Sequence, residues 1–231
     1  ASPAGTDNDT DGHGTHVAGT VAQSTNNTVG VAGMAYGVSV MPVRVLSSSG
    51  SGVSTDLAMG IRWAADNGAE VINMSLGGTG DSSAVSEAVQ YAYDNGVVLV
   101  AATGNENAAV LYPAAYDTVL AVGATDENKA RAPYSNYGPQ IDVAAPGGLF
   151  VDINGNGSYD TNDEVDGGIL QGALNDDYAW QTGTSMACPH VAALAALLLS
   201  DQPGLTPGEV YTAIRFSAED LGAAGFDELY G

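Results

Sequence analysis

Along the middle of the chain, segments with apolar residues at helical spacing alternate with short apolar segments typical of strands. Residues 54 to 68 carry apolar side chains at helical spacing and end at a glycine, while residues 39 to 46 and 70 to 76 are short β-rich runs on either side. A helix between two such runs predicts a βαβ unit, the building block of parallel sheets.

The same pattern repeats further along the chain. Residues 82 to 96 predict a helix capped by Ser82 and closed by Asn-Gly, and residues 97 to 105 and 118 to 125 predict further apolar strands. Strands that are apolar on both faces and alternate with amphipathic helices are typical of a parallel sheet covered on both sides. We therefore predict an α/β fold, doubly wound, with a mostly parallel sheet and helices on both faces, in one domain over residues 1 to 231.

Between residues 147 and 182 the periodicity gives way to Gly, Asn and Asp, which predicts a long functional loop or insertion. Within it, residues 152 to 163 have the spacing of a calcium loop, with a glycine at its sixth position. An aspartate stands where an EF-hand has a bidentate glutamate, and no helices flank the loop, so we predict a calcium-binding insertion and not an EF-hand. The expected ligands are the side chains of Asp152, Asn154, Asn156, Asp160 and Asp163 and the backbone carbonyl of Ser158.

The histidines of the chain fall in two short segments. His13 and His16 lie in a glycine-flanked stretch that predicts a loop delivering one imidazole at a helix start, and His190 follows Ser185 by five residues. Ser185 itself opens an apolar run that predicts a helix, with Thr184 as its predicted cap.

A hydroxyl in the first turn of a helix suits acyl transfer, because the free backbone N–H groups and the dipole there favour an oxyanion. His13 is the candidate base for Ser185, and Asn105, at the end of a predicted strand, is a candidate side-chain donor to the same oxyanion. Pro189 has no N–H for the carbonyl of Ser185, which leaves that first turn open.

Four motifs occur in an order and spacing that resemble one known family. They are HGTHVAGT from His13, INMSLGG from Ile72, AATGNE from Ala101 and GTSMACPHVA from Gly183. The chain resembles the subtilisin-like serine proteases, or subtilases, over roughly residues 11 to 217. The resemblance implies a serine endopeptidase in which His13 is the general base, Ser185 the nucleophile and Asn105 the oxyanion donor, assisted by the Ser185 backbone N–H.

The resemblance also implies a peptide or protein substrate that binds as an added strand between two edge segments. The matching positions are Gly50, Ser51 and Gly52 on one side and Ser75, Leu76 and Gly77 on the other, with Ala102 and Gly104 in one wall of the specificity pocket. Small residues on these walls predict a roomy apolar pocket and broad specificity. A second, weaker calcium site is implied at residues 25 to 31, where Asn27 is the expected ligand.

The chain departs from the family where the triad aspartate is expected. No apolar strand ending in Asp-Ser-Gly or Asp-Thr-Gly precedes His13, and the chain ends where the family continues into a last helix. We expect the aspartate-bearing strand to lie upstream of residue 1, and the chain alone to be a poor catalyst. An alternative reading is a subtilase-like domain that has lost the aspartate and survives as a calcium-stabilised binding or structural module.

Other residues have ordinary structural interpretations. His16 and His190 are expected to be structural, a zinc site at His13 and His16 lacks further ligands, and Cys188 is expected to be a buried packing residue. The aspartates at positions 7, 9 and 11 are expected to be solvated, with a minor metal role as the alternative.

The amino-acid composition limits the kinds of binding partner that we expect for this chain. The formal net charge of −22, from 27 acidic and 5 basic residues, repels nucleic-acid phosphate and anionic membranes. The chain contains no stretch of 18 apolar residues, the length that would predict membrane insertion. Its single cysteine excludes an internal disulfide. We expect a secreted, monomeric protein with structural calcium, and the acidic surface is also typical of proteins that work in high salt.

Overall fold

The computed structural model describes residues 9–149 and 167–231. Its helices are α1 (His13–Ala22), α2 (Ser54–Asp66), α3 (Ser83–Asp94), α4 (Thr184–Asp201) and α5 (Pro207–Ser217). Its strands are β1 (Val71–Met74), β2 (Val98–Ala102), β3 (Leu120–Thr125), β4 (Val143–Pro146), β5 (Ile169–Gly172) and β6 (Tyr178–Gln181).

The first four strands form one parallel sheet in the order β1-β2-β3-β4. Every residue of β2 and β3 is buried, as expected of central strands whose two faces are both covered. The predicted α/β fold with a parallel sheet is confirmed. Because parallel strands end at the same edge, the segments that follow β1 and β2 meet at the carboxyl edge of this sheet.

The side chains of β2 alternate between two cores. Val98 and Val100 face α4 and α5, whereas Leu99 and Ala101 face α2 and α3. This period of two is the direct consequence of strand geometry, and it places one layer of helices on each side of the sheet. The prediction of a single domain over residues 1–231 stays a prediction.

Helix α4 crosses the sheet and contacts all four of its strands, and α1 packs against α4. By length and composition alone, α4 could also span a membrane, but half of it is buried inside the protein, as is usual for a core helix. The interior proline, Pro189, is buried. The helix thus carries Ser185 to the carboxyl edge of the sheet while its remaining turns fill the core.

Two sequence-based predictions of local structure were wrong, the strand over residues 39–46 and the cap by Ser82, and a third segment has regular structure in its described part. Residues 39–46 form no strand, because no described strand lies beside them to accept their hydrogen bonds; Val43 and Val45 pack toward α2 instead. The described end of the loop predicted over residues 147–182 contains an antiparallel hairpin of β5 and β6. Ser82 occupies the N-cap position of α3, but its hydroxyl makes no capping hydrogen bond.

Besides the hairpin, strand β4 and helix α5 were not predicted. Strand β4 has only four residues and ends in a proline, so it is too short to give a clear strand pattern in the sequence. Helix α5 had a readable signal: Thr206 accepts a hydrogen bond from the backbone N–H of Glu209, whose carboxylate accepts one from the backbone N–H of Thr206. This capping box, with a proline at the first helical position, is visible in the sequence.

Candidate active site

Ser185 lies in the first turn of α4 and is half-buried. The residue before the helix, Gly183, has a φ of 144°, a conformation that favours glycine. Within the described part of the chain, the backbone N–H of Ser185 donates to no acceptor. A free N–H at a helix N-terminus is a donor available to an anion.

Ser75, immediately after β1, binds Ser185 through two reciprocal hydrogen bonds. The Ser75 hydroxyl donates to the Ser185 carbonyl at 2.8 Å, and the Ser185 hydroxyl donates to the Ser75 carbonyl at 3.3 Å. Pro189 explains the first bond, because it lacks the N–H that would otherwise occupy the Ser185 carbonyl. The Asn73 side chain donates to the Ser75 hydroxyl at 3.0 Å and completes the chain of bonds.

Asn105 follows β2 and holds its side chain against the start of α4. Its Oδ1 accepts from the backbone N–H of Thr184 at 2.8 Å and from the Thr184 hydroxyl at 2.9 Å. Since a backbone N–H can only donate, the atom facing it is the amide oxygen, and the NH₂ group is turned away. No described residue accepts a hydrogen bond from that exposed NH₂ group.

Thr184 was predicted to cap α4, and this prediction was wrong. Its hydroxyl donates to Asn105 Oδ1 and accepts from the backbone N–H of Gly104 at 3.2 Å. The helix has no side-chain cap at its N-cap residue, Gly183. Thr184 therefore ties the end of β2 to the start of α4, and the helix N-terminus keeps its free donors.

Gly104 has a φ of 108° and lies in the tightest part of the site. A Cβ at this position would collide with the side chains of Asn136, Glu106 and Leu111. Only glycine allows the chain to turn here directly after the buried β2, which delivers Asn105 to the surface.

His13 begins α1, as predicted, and is half-buried. Burial lowers the pKa of His13 below its ordinary value of 6.5, and the nearby carboxylates of Asp11 and Asp9 act in the opposite direction. The neutral form, which can accept a proton, therefore persists to lower pH than in a free imidazole.

Helix α1, which begins at His13, packs against α4, which carries Ser185 in its first turn. Among the described residues, no hydrogen bond joins the His13 ring to Ser185, whose hydroxyl donates to the Ser75 carbonyl instead. In unliganded enzymes catalytic hydrogen bonds are often long, so this geometry leaves the pairing of base and nucleophile a prediction.

Asp9 was expected to be solvated, and this was wrong. One carboxylate oxygen accepts from the backbone N–H groups of Gly12 and Asp11 at 2.9 and 3.0 Å, and the other from the N–H and hydroxyl of Thr15 at 2.8 and 2.7 Å. Partial burial raises the pKa of Asp9, but these hydrogen bonds together outweigh it and lower the pKa to about 2. Asp9 thus organises the turn that delivers His13.

The other histidines and the cysteine contact backbone or core atoms. His16 is fully buried, with Nε2 against the carbonyls of Ile169 and Ala179 at 3.0 and 3.1 Å. His190 places Nδ1 2.8 Å from the carbonyl of Met186, in its own helix. Burial raises the pKa of the Cys188 thiol to about 12, so this thiol stays protonated.

The residues predicted to bind substrate lie in two exposed segments and one buried wall. Gly50, Ser51 and Gly52 form an exposed turn just before α2. Ser75 is buried, and Leu76 and Gly77 become progressively more exposed beyond the end of β1. The wall residues Ala102 and Gly104 are both buried. The segment from Ser75 to Gly77 and the wall residues lie at the carboxyl edge of the sheet. The turn at residues 50–52 lies just before α2.

The predicted calcium ligands are only partly described. The insertion ligands Asp152, Asn154, Asn156, Ser158, Asp160 and Asp163 lie outside the described residues. Asn27 is exposed, and its Oδ1 accepts from the backbone N–H of Val29 at 3.0 Å, which leaves one lone pair of that oxygen for a cation. Within residues 9–149 and 167–231, no group of three or more His, Cys, Asp or Glu side chains could hold a metal.

Comparisons with known proteins agree with this geometry. The family model described as "Subtilase family" matches residues 2–231 of the chain. Subtilisin DY of Bacillus licheniformis is 44% identical over 219 residues, covering 93% of this chain and 73% of that protein. The halolysin-like extracellular serine protease Nep of Natrialba magadii is 46% identical over 95% of this chain, which spans 37% of Nep.

A solved structure shows the same fold. The protease of Pseudoalteromonas arctica superposes with a TM-score of 0.80 at 42% identity, covering 90% of this chain and 64% of that one. A family match over nearly the entire chain, together with relatives above 40% identity, leaves no other assignment. The chain belongs to the subtilase family of serine peptidases.

Proposed function

We propose that this chain is the catalytic domain of a secreted serine endopeptidase that cleaves peptide bonds through an acyl-enzyme. One observation carries the proposal: Thr184 holds the Asn105 amide oxygen against the start of α4, which leaves the Asn105 NH₂ group and the Ser185 backbone N–H as two unengaged donors next to a serine hydroxyl. Two such donors are what a tetrahedral oxyanion needs.

The chemistry assigned to the side chains is proton transfer and charge stabilisation. The Ser185 hydroxyl leaves the Ser75 carbonyl, gives its proton to His13 and attacks the scissile carbonyl carbon. Asn105 and the Ser185 N–H stabilise the negative oxygen, and His13 then returns the proton to the leaving amine. Water repeats the sequence on the acyl-enzyme and releases the second product. The low pKa of His13 supports its role as the proton acceptor.

The proposed substrate is an extended peptide. The segment from Ser75 to Gly77 leaves the sheet at its carboxyl edge, where backbone groups are accessible to an added strand, and Gly77 allows close approach. The buried small residues Ala102 and Gly104 leave room for an apolar side chain of the substrate. These features support broad specificity, with side-chain choice set by pocket size.

Covalent labelling tests the function directly. In the natural full-length protein, a fluorophosphonate is expected to modify one serine, and peptide mapping is expected to place the label on Ser185. The Ser185→Ala variant should take up no label, while Ser83→Ala, at the exposed start of α3, should label like the wild type. A folded wild-type protein that stays unlabelled would favour a binding module over an enzyme.

We further propose that the protein is monomeric and carries structural calcium at the insertion over residues 152–163 and at the loop around Asn27. The spacing of oxygen ligands supports the first site, and the exposed amide oxygen of Asn27 supports the second. The extracellular relative Nep supports secretion, where calcium is abundant.

Chelation is the test for calcium. A ligand present at about 100 times its Kd stabilises a fold by about 2.7 kcal/mol, which in a domain of this size corresponds to a Tm shift of about 5 to 10 °C. We expect a chelator to lower Tm by that amount and added Ca²⁺, but not Mg²⁺, to restore it. An Asp152→Ala and Asn154→Ala double variant should show a smaller drop. A Tm that is indifferent to chelation would rule out both sites.

A further inference from the structure

Asn136 is a fully buried carboxamide in the loop between β3 and β4, and the proposed chemistry does not use it directly. Its Oδ1 accepts from the backbone N–H groups of Glu106 and Ala108 at 2.9 and 3.0 Å. Its NH₂ group faces the carbonyls of Thr103 and Ala109 at 3.1 and 3.0 Å. Each amide atom thus meets partners of one kind, so no other orientation of the side chain satisfies the site.

These partners all belong to the segment that carries Asn105. The backbone N–H of Asn136 donates to the carbonyl of Gly104 at 3.0 Å, on one side of Asn105. On the other side, Glu106 Oε2 accepts from Asn136 Nδ2 and from the backbone N–H of Asn105, both at 2.8 Å. Asn136 therefore holds the backbone before and after Asn105 and reaches Asn105 itself through one carboxylate.

Asn105 thus has two independent anchors. Thr184 orients its amide oxygen from α4, and Asn136 sets the position of its backbone from the loop between β3 and β4. An oxyanion donor must lie within a few tenths of an ångström of its working position, and a misplacement of about 1 Å can cost on the order of 10²-fold in rate. A side-chain anchor alone does not fix a residue whose backbone is free to move.

We propose that Asn136 is a positioning residue for the oxyanion donor Asn105, acting through the backbone of residues 104–108 and through Glu106. This inference rests on the proposed endopeptidase function and adds a residue that the known motifs do not contain. Asn136 touches no substrate in this scheme. Its effect on turnover passes entirely through Asn105.

A double-mutant cycle on the natural full-length protein tests this. We expect Asn136→Ala to lower kcat about 10-fold to 100-fold, the cost of a displaced catalytic group, with KM changed less than about threefold. In an Asn105→Ala background the same substitution should lower kcat less than about threefold, because the donor it positions is already gone. Equal losses in both backgrounds would overturn the proposal and leave the endopeptidase function standing.

Two further variants separate positioning from simple destabilisation. Ser135→Ala removes an equally buried hydroxyl that accepts from the backbone N–H of Ala124 at 2.9 Å and donates to the backbone carbonyl of Asn136 at 3.2 Å, but it makes no described hydrogen bond to residues 104–108. We expect it to lower Tm while kcat stays within about twofold of the wild type. If Asn136→Ala does not fold, Glu106→Ala removes the exposed link; a kcat loss that persists undiminished in the Asn105→Ala background would again overturn the proposal. A wild type that takes no fluorophosphonate would instead refute the underlying function.

Discussion

Replacement of His13 by alanine in the natural full-length protein is expected to lower kcat by about 10⁶-fold, with KM nearly unchanged. The size of this loss is the one that subtilisin itself shows when its histidine is removed. The physical reason is that the Ser185 hydroxyl is a weak nucleophile until a base takes its proton. Hydrolysis of a chromogenic peptide, with active-site concentration determined by titration, measures the effect.

The matched control for this variant is His190→Gln. His190 lies on the same helix as Ser185, and burial lowers its pKa as it does for His13, but its Nδ1 is engaged with a backbone carbonyl. We expect its kcat within about threefold of the wild type. A comparable loss in both variants would contradict the role of His13 as the base.

The protonation of His13 gives a second measurement of the same prediction. Burial is the larger influence and opposes the imidazolium, so an NMR titration of this chain should give a pKa below 6.5 for His13. The activity that depends on neutral His13 is then present above that pKa and lost as the pH falls through it.

Asn105→Ala is expected to lower kcat by about 10²-fold to 10³-fold with little change in KM, a magnitude known for the equivalent donor of subtilisin. The amide NH₂ group of Asn105 is free in the resting structure, because its oxygen partner is the one that Thr184 engages. Its hydrogen bond therefore forms only when negative charge develops on the substrate. An interaction made mainly in the transition state changes kcat and not KM.

Two controls sharpen the Asn105 experiment. Asn105→Asp is nearly isosteric but offers an anion where a donor is needed, so it should be at least as impaired as Asn105→Ala. Asn128→Ala, which removes an exposed carboxamide in the turn after β3, should retain nearly full turnover. A rise in KM at constant kcat for Asn105→Ala would mean that the side chain binds substrate and does not stabilise the oxyanion.

The sheet and its covering helices could be predicted because their signal is local. The apolar run over residues 97 to 105 and the 3.6-residue period over residues 82 to 96 are properties of neighbouring side chains, and both elements formed as expected. Residues 39 to 46 have the same strand character but no described partner strand. Strand formation depends on a neighbour that periodicity does not reveal.

The residues of the candidate site also differ in whether they could be predicted from the sequence. His13, Asn105 and Ser185 stand in motifs that can be read in sequence. In contrast, Ser75 binds Ser185 at a separation of 110 residues, Thr184 binds Asn105 at 79, and the partners of the Asn136 side chain lie 27 to 33 residues away. A threonine at a helix start most often acts as a cap, so its sequence position alone predicts that role for Thr184. Hydrogen bonds between distant segments leave no local pattern, so these supporting roles required the structure.

The mutual hydrogen bonds of Ser75 and Ser185 bear on protein engineering. Ser75 begins the segment assigned to substrate binding, yet it also exchanges two hydrogen bonds with the nucleophile, Ser185. Redesign of that segment for a new cleavage preference would therefore disturb turnover as well as selectivity. Libraries that keep Ser75 and vary Leu76 and the positions beyond it should yield new specificities with fewer inactive members.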